Sequence, residues 1–225
     1  MRIDPTAEAQ RLLEQIDDID LDELAADPAI AVEVLFDVVV TPRQPQMRSE
    51  GCAVDGTYDP GPPPCIRVAD DVAASRQRFT ILHELGHHLI EHDAHLNDLP
   101  ISDADRRDEA ICNEVAASVL IPADLVDRVL ISGVLEAEHV AALKNATWAS
   151  REACCVAAAR RLRVPGCVIL GRPDGTAVFT AHHLATPWSI ARGTPQGRDS
   201  LLYKAARRRS RRARDVTRCS GHRGW

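Results

Sequence analysis

The chain has 225 residues, a formal net charge of −6 and 45% hydrophobic residues. These values suit a compact soluble protein with one sizeable core. Its apolar stretches are short, and the opening MRIDPTAEAQRLLEQIDD is charged and amphipathic, without a signal-peptide core. This excludes a membrane span and predicts a cytoplasmic protein. Seven cysteines, an odd number with no CxxC pair, predict reduced thiols over a disulfide framework.

In chain order, helices are predicted within about residues 5–38, overlapping the acidic run DDIDLDE (17–23). A Pro- and Gly-rich passage follows (43–64), then a short strand, CIRVA (65–69). The run FTILHELGHHLIEH (79–92) comes next and carries the HExxH pattern. At about 100° per residue on a helix, His83 and His87 project within roughly 40° of each other and can reach one metal ion, with Glu84 on the flank of that face. Leu82, Leu85 and Leu89 form the opposite, apolar side. One stripe is thus free to enter a core while another presents ligands.

A catalytic zinc keeps three protein ligands and an open position, so a third ligand is expected downstream. The segment DEAICNEVAASVLIP (108–122) reads as a helix that stops at Pro122. Glu109 shares a face with Cys112, Asn113, Ala116 and Leu120, whereas Glu114 points roughly 140° away. Glu109 is therefore the predicted ligand and Glu114 a solvated charge. Small Ala116 would let the two helices approach, and Asn113, one turn on, suits support of a ligand or substrate.

The remaining histidines fit less well. His92 falls away from His83 and His87, and the metzincin pattern requires Gly and His where this chain has Ile90 and Asp93. His88 lies on the back of the helix and His95 beyond its end, as packing or surface residues. His182 and His183 follow a predicted strand and are candidates for stabilising an oxyanion, but nothing in the sequence positions them. Tyr58 and Tyr203 are equally unplaced.

Residues 136–163 read as helix, turn, helix, with Ser150 as N-cap and Val164–Gly166 ending the second helix. The second helix carries Arg151, Arg160, Arg161 and Arg163, but its apolar Ala153, Val156, Ala157 and Leu162 favour packing beneath an active site over DNA reading. CVILG (167–171), the turn RPDG and TAVFT (176–180) predict a β-hairpin. In the basic tail KAARRRSRRARDVTR (204–218), Arg207, Arg208, Arg209, Arg211, Arg212 and Arg214 cannot all avoid solvent. The tail is read either as a solvated terminus or as a salt-sensitive contact to nucleic acid, with no aromatic residues interleaved for base stacking. Cys219 and His222 have partial ligand spacing without a partner pair.

The segments IRVADDVAASRQRFTILHELGHHL (66–89) and EAICNEVAASVLIP (109–122) resemble the ImmA/IrrE metallopeptidases. The resemblance is specific in the two helices and diffuse elsewhere. It implies His83, His87 and Glu109 as zinc ligands, Glu84 as catalytic base, and a helix-turn-helix repressor as substrate. Some members carry an N-terminal DNA-binding unit. None is read before residue 60 here, so a DNA-binding partner is expected to be a separate protein.

The expected architecture is an α+β zincin-like domain, with two metal-binding helices beside a small sheet. Its predicted divisions are an N-terminal helical region (1–42), the metallopeptidase domain (43–181) and a C-terminal extension (182–225). By analogy with zincins, CIRVA is expected to be the edge strand that holds an extended peptide. The function expected is site-specific, zinc-dependent cleavage of a repressor and hence regulation of transcription. The competing reading is a regulatory module that docks to DNA or a transcription factor without cleaving. A purely structural zinc, however, is normally closed by a fourth Cys or His and has no use for Glu84.

Overall fold

The computed structural model describes residues 3–43, 55–98, 104–130, 135–197, 200 and 203–204. The passage 44–54, most of the basic tail and the pair Cys219 and His222 lie outside them. The architecture is α+β and zincin-like, and it divides into two compact units. The first comprises residues 1–129 with 141–150, and the second residues 130–140 with 151–225.

The first unit opens with three helices, α1 (Pro5–Leu13), α2 (Asp18–Ala26) and α3 (Pro28–Phe36). Asp4 caps α1 by accepting the Thr6 N–H, and Pro5 and Pro28 sit where a helix tolerates a missing donor. After α3 the chain reverses through Asp37 in the left-handed region (φ 55°) into β1 (Val39–Arg43). The Glu33 carboxylate accepts the Val40 N–H at 2.9 Å and ties the two elements together.

A three-stranded sheet follows, in the order β1-β3-β2, with β2 at Gly56–Asp59 and β3 at Cys65–Ala69. β3 pairs parallel with β1 (Val40 opposite Ile66) and antiparallel with β2 (Tyr58 opposite Ile66). This corrects one expectation. CIRVA is the central strand, its main chain engaged on both sides, so it offers no free edge to a peptide. Among the described residues the edges are β1 and β2.

The sheet supports α4 (Ala74–Glu91), which touches β2 and β3 and also packs along α6 (Ala104–Leu120). Burial on α4 is consequently broader than one stripe. Leu82 and Leu85 are fully covered, and Glu84, Gly86 and His88 are buried as well. Ile66, Ile111, Cys112 and Val115 complete the core between sheet and helices. The helix α1 lies on α6, where Glu114, predicted as a solvated charge, accepts a 3.3 Å bond from the Thr6 hydroxyl. At the far end of α4, Asp93 caps the short α5 (Ala94–Asn97) through the Leu96 N–H and takes two bonds from Arg11, at 2.8 and 2.9 Å. This bidentate pair fixes α1 to the end of the metal-ligand helix. The helix α7 (Ala123–Val129) follows Pro122.

In the second unit α9 (Arg151–Arg160) packs on the hairpin of β4 (Cys167–Gly171) and β5 (Ala177–His182). Cys155, Ala159 and Ala181 form its core, with Val140, Val156, Leu162, Val168 and Phe179 around them. The apolar face of α9 is thus used against the hairpin. The turn between the strands requires glycine at Gly175 (φ +88°) and is fastened by Asp174 accepting the Thr176 N–H. α8 (Ala137–Ala146) has residues in both units. Among the described residues no helix is long and apolar enough to cross a membrane.

Candidate metal centre

His83 and His87 sit one turn apart on α4 with ring centroids 5.1 Å apart. Glu109, from the first half of α6, reaches across to both. Its Oε2 stands 3.4 Å from His83 Nε2 and its Oε1 3.5 Å from His87 Nε2. One donor atom from each of the three residues lies within 4.8 Å of the others. Geometry of this kind depends on how closely α4 and α6 approach, and the contact point is Gly86. A Cβ there would stand 2.8 Å from the Cys112 Cα and 3.0 Å from its Sγ. The absent side chain lets the helices close, and buried Ala116 adds to the fit.

The three residues fit a divalent ion. Donor atoms about 2.0–2.1 Å from a tetrahedral zinc stand about 3.3 Å from one another, close to the two N···O separations found. Burial, reinforced by the nearby His87, holds the His83 imidazole pKa below its ordinary value, against the opposing pull of Glu109 and Asn113. A neutral imidazole with a free lone pair is the form that ligates. The cluster is also open on one side. The Glu109 side chain is 58% exposed and that of His87 28%, against 14% for His83. A closed structural site would be covered by a fourth ligand.

Glu84 is buried beside the cluster without belonging to it. Its neighbour is Gly56 in β2, where a Cβ would meet Glu84 Oε1 at 2.9 Å and Thr80 Cγ2 at 2.3 Å. Glycine at this point lets the edge strand press against the carboxyl group. Asn113 acts on His83 and donates its side-chain amide to the Glu109 carbonyl at 2.7 Å, so it braces the helix segment that carries Glu109. Nδ1 of His83 is buried without a hydrogen-bond partner among the described residues.

The structure thus brings His83, His87, Glu109, Glu84 and Asn113 together. His92 turns away from this cluster, its Nδ1 2.9 Å from the His88 carbonyl, and His95 stands 3.7 Å from Glu8. His182 and His183 belong to the second unit. There His182 faces Trp188, and His183 Nδ1 accepts the Ala185 N–H. Tyr203 lies against Gly175. Tyr58 is placed on β2 with its hydroxyl against α4. The sequence left Tyr58 unplaced and did not single out Gly56, because β2 lies in the Pro- and Gly-rich passage 43–64. The alternation GTYD, with β-favouring Thr57 and Tyr58, was the available signal.

The chain matches the family described as IrrE N-terminal-like domain over residues 38–157. It is similar to the radiation response metalloprotease IrrE of Deinococcus deserti, with 41% identity over 81 residues. That match covers 34% of this chain and 28% of the relative, so the chain spans well under a third of the relative's length. Among solved structures it is similar to a Mycobacterium tuberculosis transcriptional regulator, with a TM-score of 0.48 at 16% identity, over 85% of this chain and 58% of the other. The family match takes in more than half of the 225 residues and every member of the cluster around His83. The chain belongs to the ImmA/IrrE metallopeptidase family.

Proposed function

We propose that the chain is a zinc-dependent endopeptidase in which His83, His87 and Glu109 hold the ion and Glu84 is the general base. The observation that carries this reading is the approach of Glu109 to both imidazoles, with Glu84 buried next to them against an edge strand. A divalent ion held there supplies Lewis acidity toward water and the scissile carbonyl. Glu84 accepts the proton of the attacking water and returns it to the leaving amine; its placement on the flank of α4 keeps it available for this transfer. Asn113 positions His83 and the Glu109 segment. The substrate main chain adds to β2, the sheet edge that lies against Glu84, and main-chain pairing there leaves side-chain selectivity to the surrounding surface.

The substrate we propose is a helix-turn-helix repressor, cut at one site in the cytoplasm, which makes the enzyme a regulator of transcription. A general protease at large in that compartment would damage its host, which favours a selective enzyme. The basic tail offers a salt-sensitive route to repressor bound on DNA. The test is to incubate the purified chain with a candidate cognate helix-turn-helix repressor and with unfolded casein. A single repressor cut, abolished by chelator, supports the proposal. Casein digestion with the repressor intact overturns it.

A further inference from the structure

A second group of donors lies about one turn beyond the first, on the last turn of α4 and its C-cap residue His92. His88, Glu91 and His92 bring one donor atom each within 4.8 Å of the others. Their spacing of three and four places them on one face of the helix. His88 is buried, whereas Glu91 and His92 are exposed, so the group opens to solvent. The His88 and His92 rings stand 4.4 Å apart by centroid.

The hydrogen bonds around this group determine the proton positions. Tyr58 has a single hydroxyl proton and donates it to Glu91 Oε2 at 2.7 Å. Its 2.9 Å contact with His88 Nδ1 must then be an N–H donating to the phenol oxygen. The contact of His92 Nδ1 with the His88 carbonyl, also 2.9 Å, has the same polarity, because a carbonyl only accepts. Both imidazoles therefore carry their proton on Nδ1 and leave the Nε2 lone pair for a ligand. Outer hydrogen bonds of this kind orient histidines in metal sites. Glu91 keeps Oε1 beyond the oxygen bound by Tyr58, and the C-terminal end of α4 adds negative potential that favours a cation.

We infer that His88, Glu91 and His92 form a second site for a divalent transition-metal ion of the zinc class, distinct from the His83 cluster and oriented by Tyr58. Two imidazoles and one carboxylate select this class over calcium or magnesium, which prefer all-oxygen shells. The remaining positions face water. Since Tyr58 belongs to β2, an ion held there fastens the edge strand to α4. The inference does not depend on the activity proposed for the first cluster.

Equilibrium dialysis of the full chain against Zn2+, followed by elemental analysis, tests it. The parent is expected to bind two ions. Glu91→Gln and His92→Ala, both at exposed positions, are expected to bind one, with an unchanged circular dichroism spectrum. Glu109→Ala loses the other ion, and combining it with His92→Ala leaves none. Tyr58→Phe retains the second ion with roughly 10–100-fold weaker affinity. A parent whose bound zinc is lost entirely in Glu109→Ala, or Glu91→Gln and His92→Ala variants that both keep the parental stoichiometry, overturns the inference.

Discussion

Gly86 and Cys112 lie back to back where α4 crosses α6, so close that a Cβ on Gly86 would stand 2.8 Å from the Cys112 Cα. Glycine inside a helix costs about 1 kcal/mol relative to alanine, and this chain places one within its metal-ligand helix. What that cost permits is a short interhelical distance, which lets the Glu109 carboxylate reach His83 and His87.

Gly86→Ala should accordingly reverse the usual rule that alanine stabilises helices. The neighbouring atoms are backbone and a fully buried side chain, so the helices must part, at about 1–3 kcal/mol for overpacking. We expect a lower denaturation midpoint together with weaker zinc binding, measured by urea titration and by competition with a chromophoric chelator. A stabilised variant with parental zinc affinity would show that the close approach is not needed.

Much of the site was legible in the sequence because it rests on helical periodicity. The spacing of His83 and His87, and the opposed directions of Glu109 and Glu114, follow from about 100° per residue; the ends of both metal helices were read within two residues, whereas α4 and α6 begin at Ala74 and Ala104, ahead of the runs 79–92 and 108–122. What was not legible depends on strand pairing. Val38–Thr41 is a β-branched run that feeds β1, and Thr57 and Tyr58 lie in β2 among prolines and glycines that hide them. With both neighbours unread, Cys65–Ala69 could be taken for an edge, whereas pairing with β1 and β2 makes it the centre. The contact between Gly56 and Glu84 is non-local and leaves no periodic trace.

Assignment of the third ligand predicts a sharp asymmetry between two glutamates on one helix. Glu109→Ala should lower zinc affinity by orders of magnitude. Glu114→Ala should keep full stoichiometry while losing the bond from Thr6, worth about 0.5–1.5 kcal/mol. Metal analysis of the two variants after dialysis checks this. Metal loss in Glu114→Ala with retention in Glu109→Ala would reverse the assignment.

Acid stability should depend on Asp93. Its bonds from Arg11, opposed by burial and aided by the Leu96 N–H, hold its carboxyl pKa below the ordinary value. A carboxyl group with a depressed folded-state pKa contributes stability above its unfolded value, about 3.9. That contribution is lost as the pH falls from there through the folded value. Asp93→Asn keeps an N-cap acceptor but loses the charge, and should cost about 1–3 kcal/mol near neutrality. The difference from the parent should shrink below about pH 4. Urea unfolding at several pH values measures it, and a constant difference down to pH 2 would refute the assignment.

The central claim is that Glu84 moves the proton of the attacking water while His83, His87 and Glu109 hold the ion, and Glu84→Gln tests it most directly. Zinc content, circular dichroism and peptide-bond hydrolysis should be measured on the same preparation. The account predicts parental zinc content and fold with hydrolysis reduced about 10²–10⁴-fold, because an amide cannot accept the proton. Parental hydrolysis by a zinc-loaded Glu84→Gln variant would contradict it.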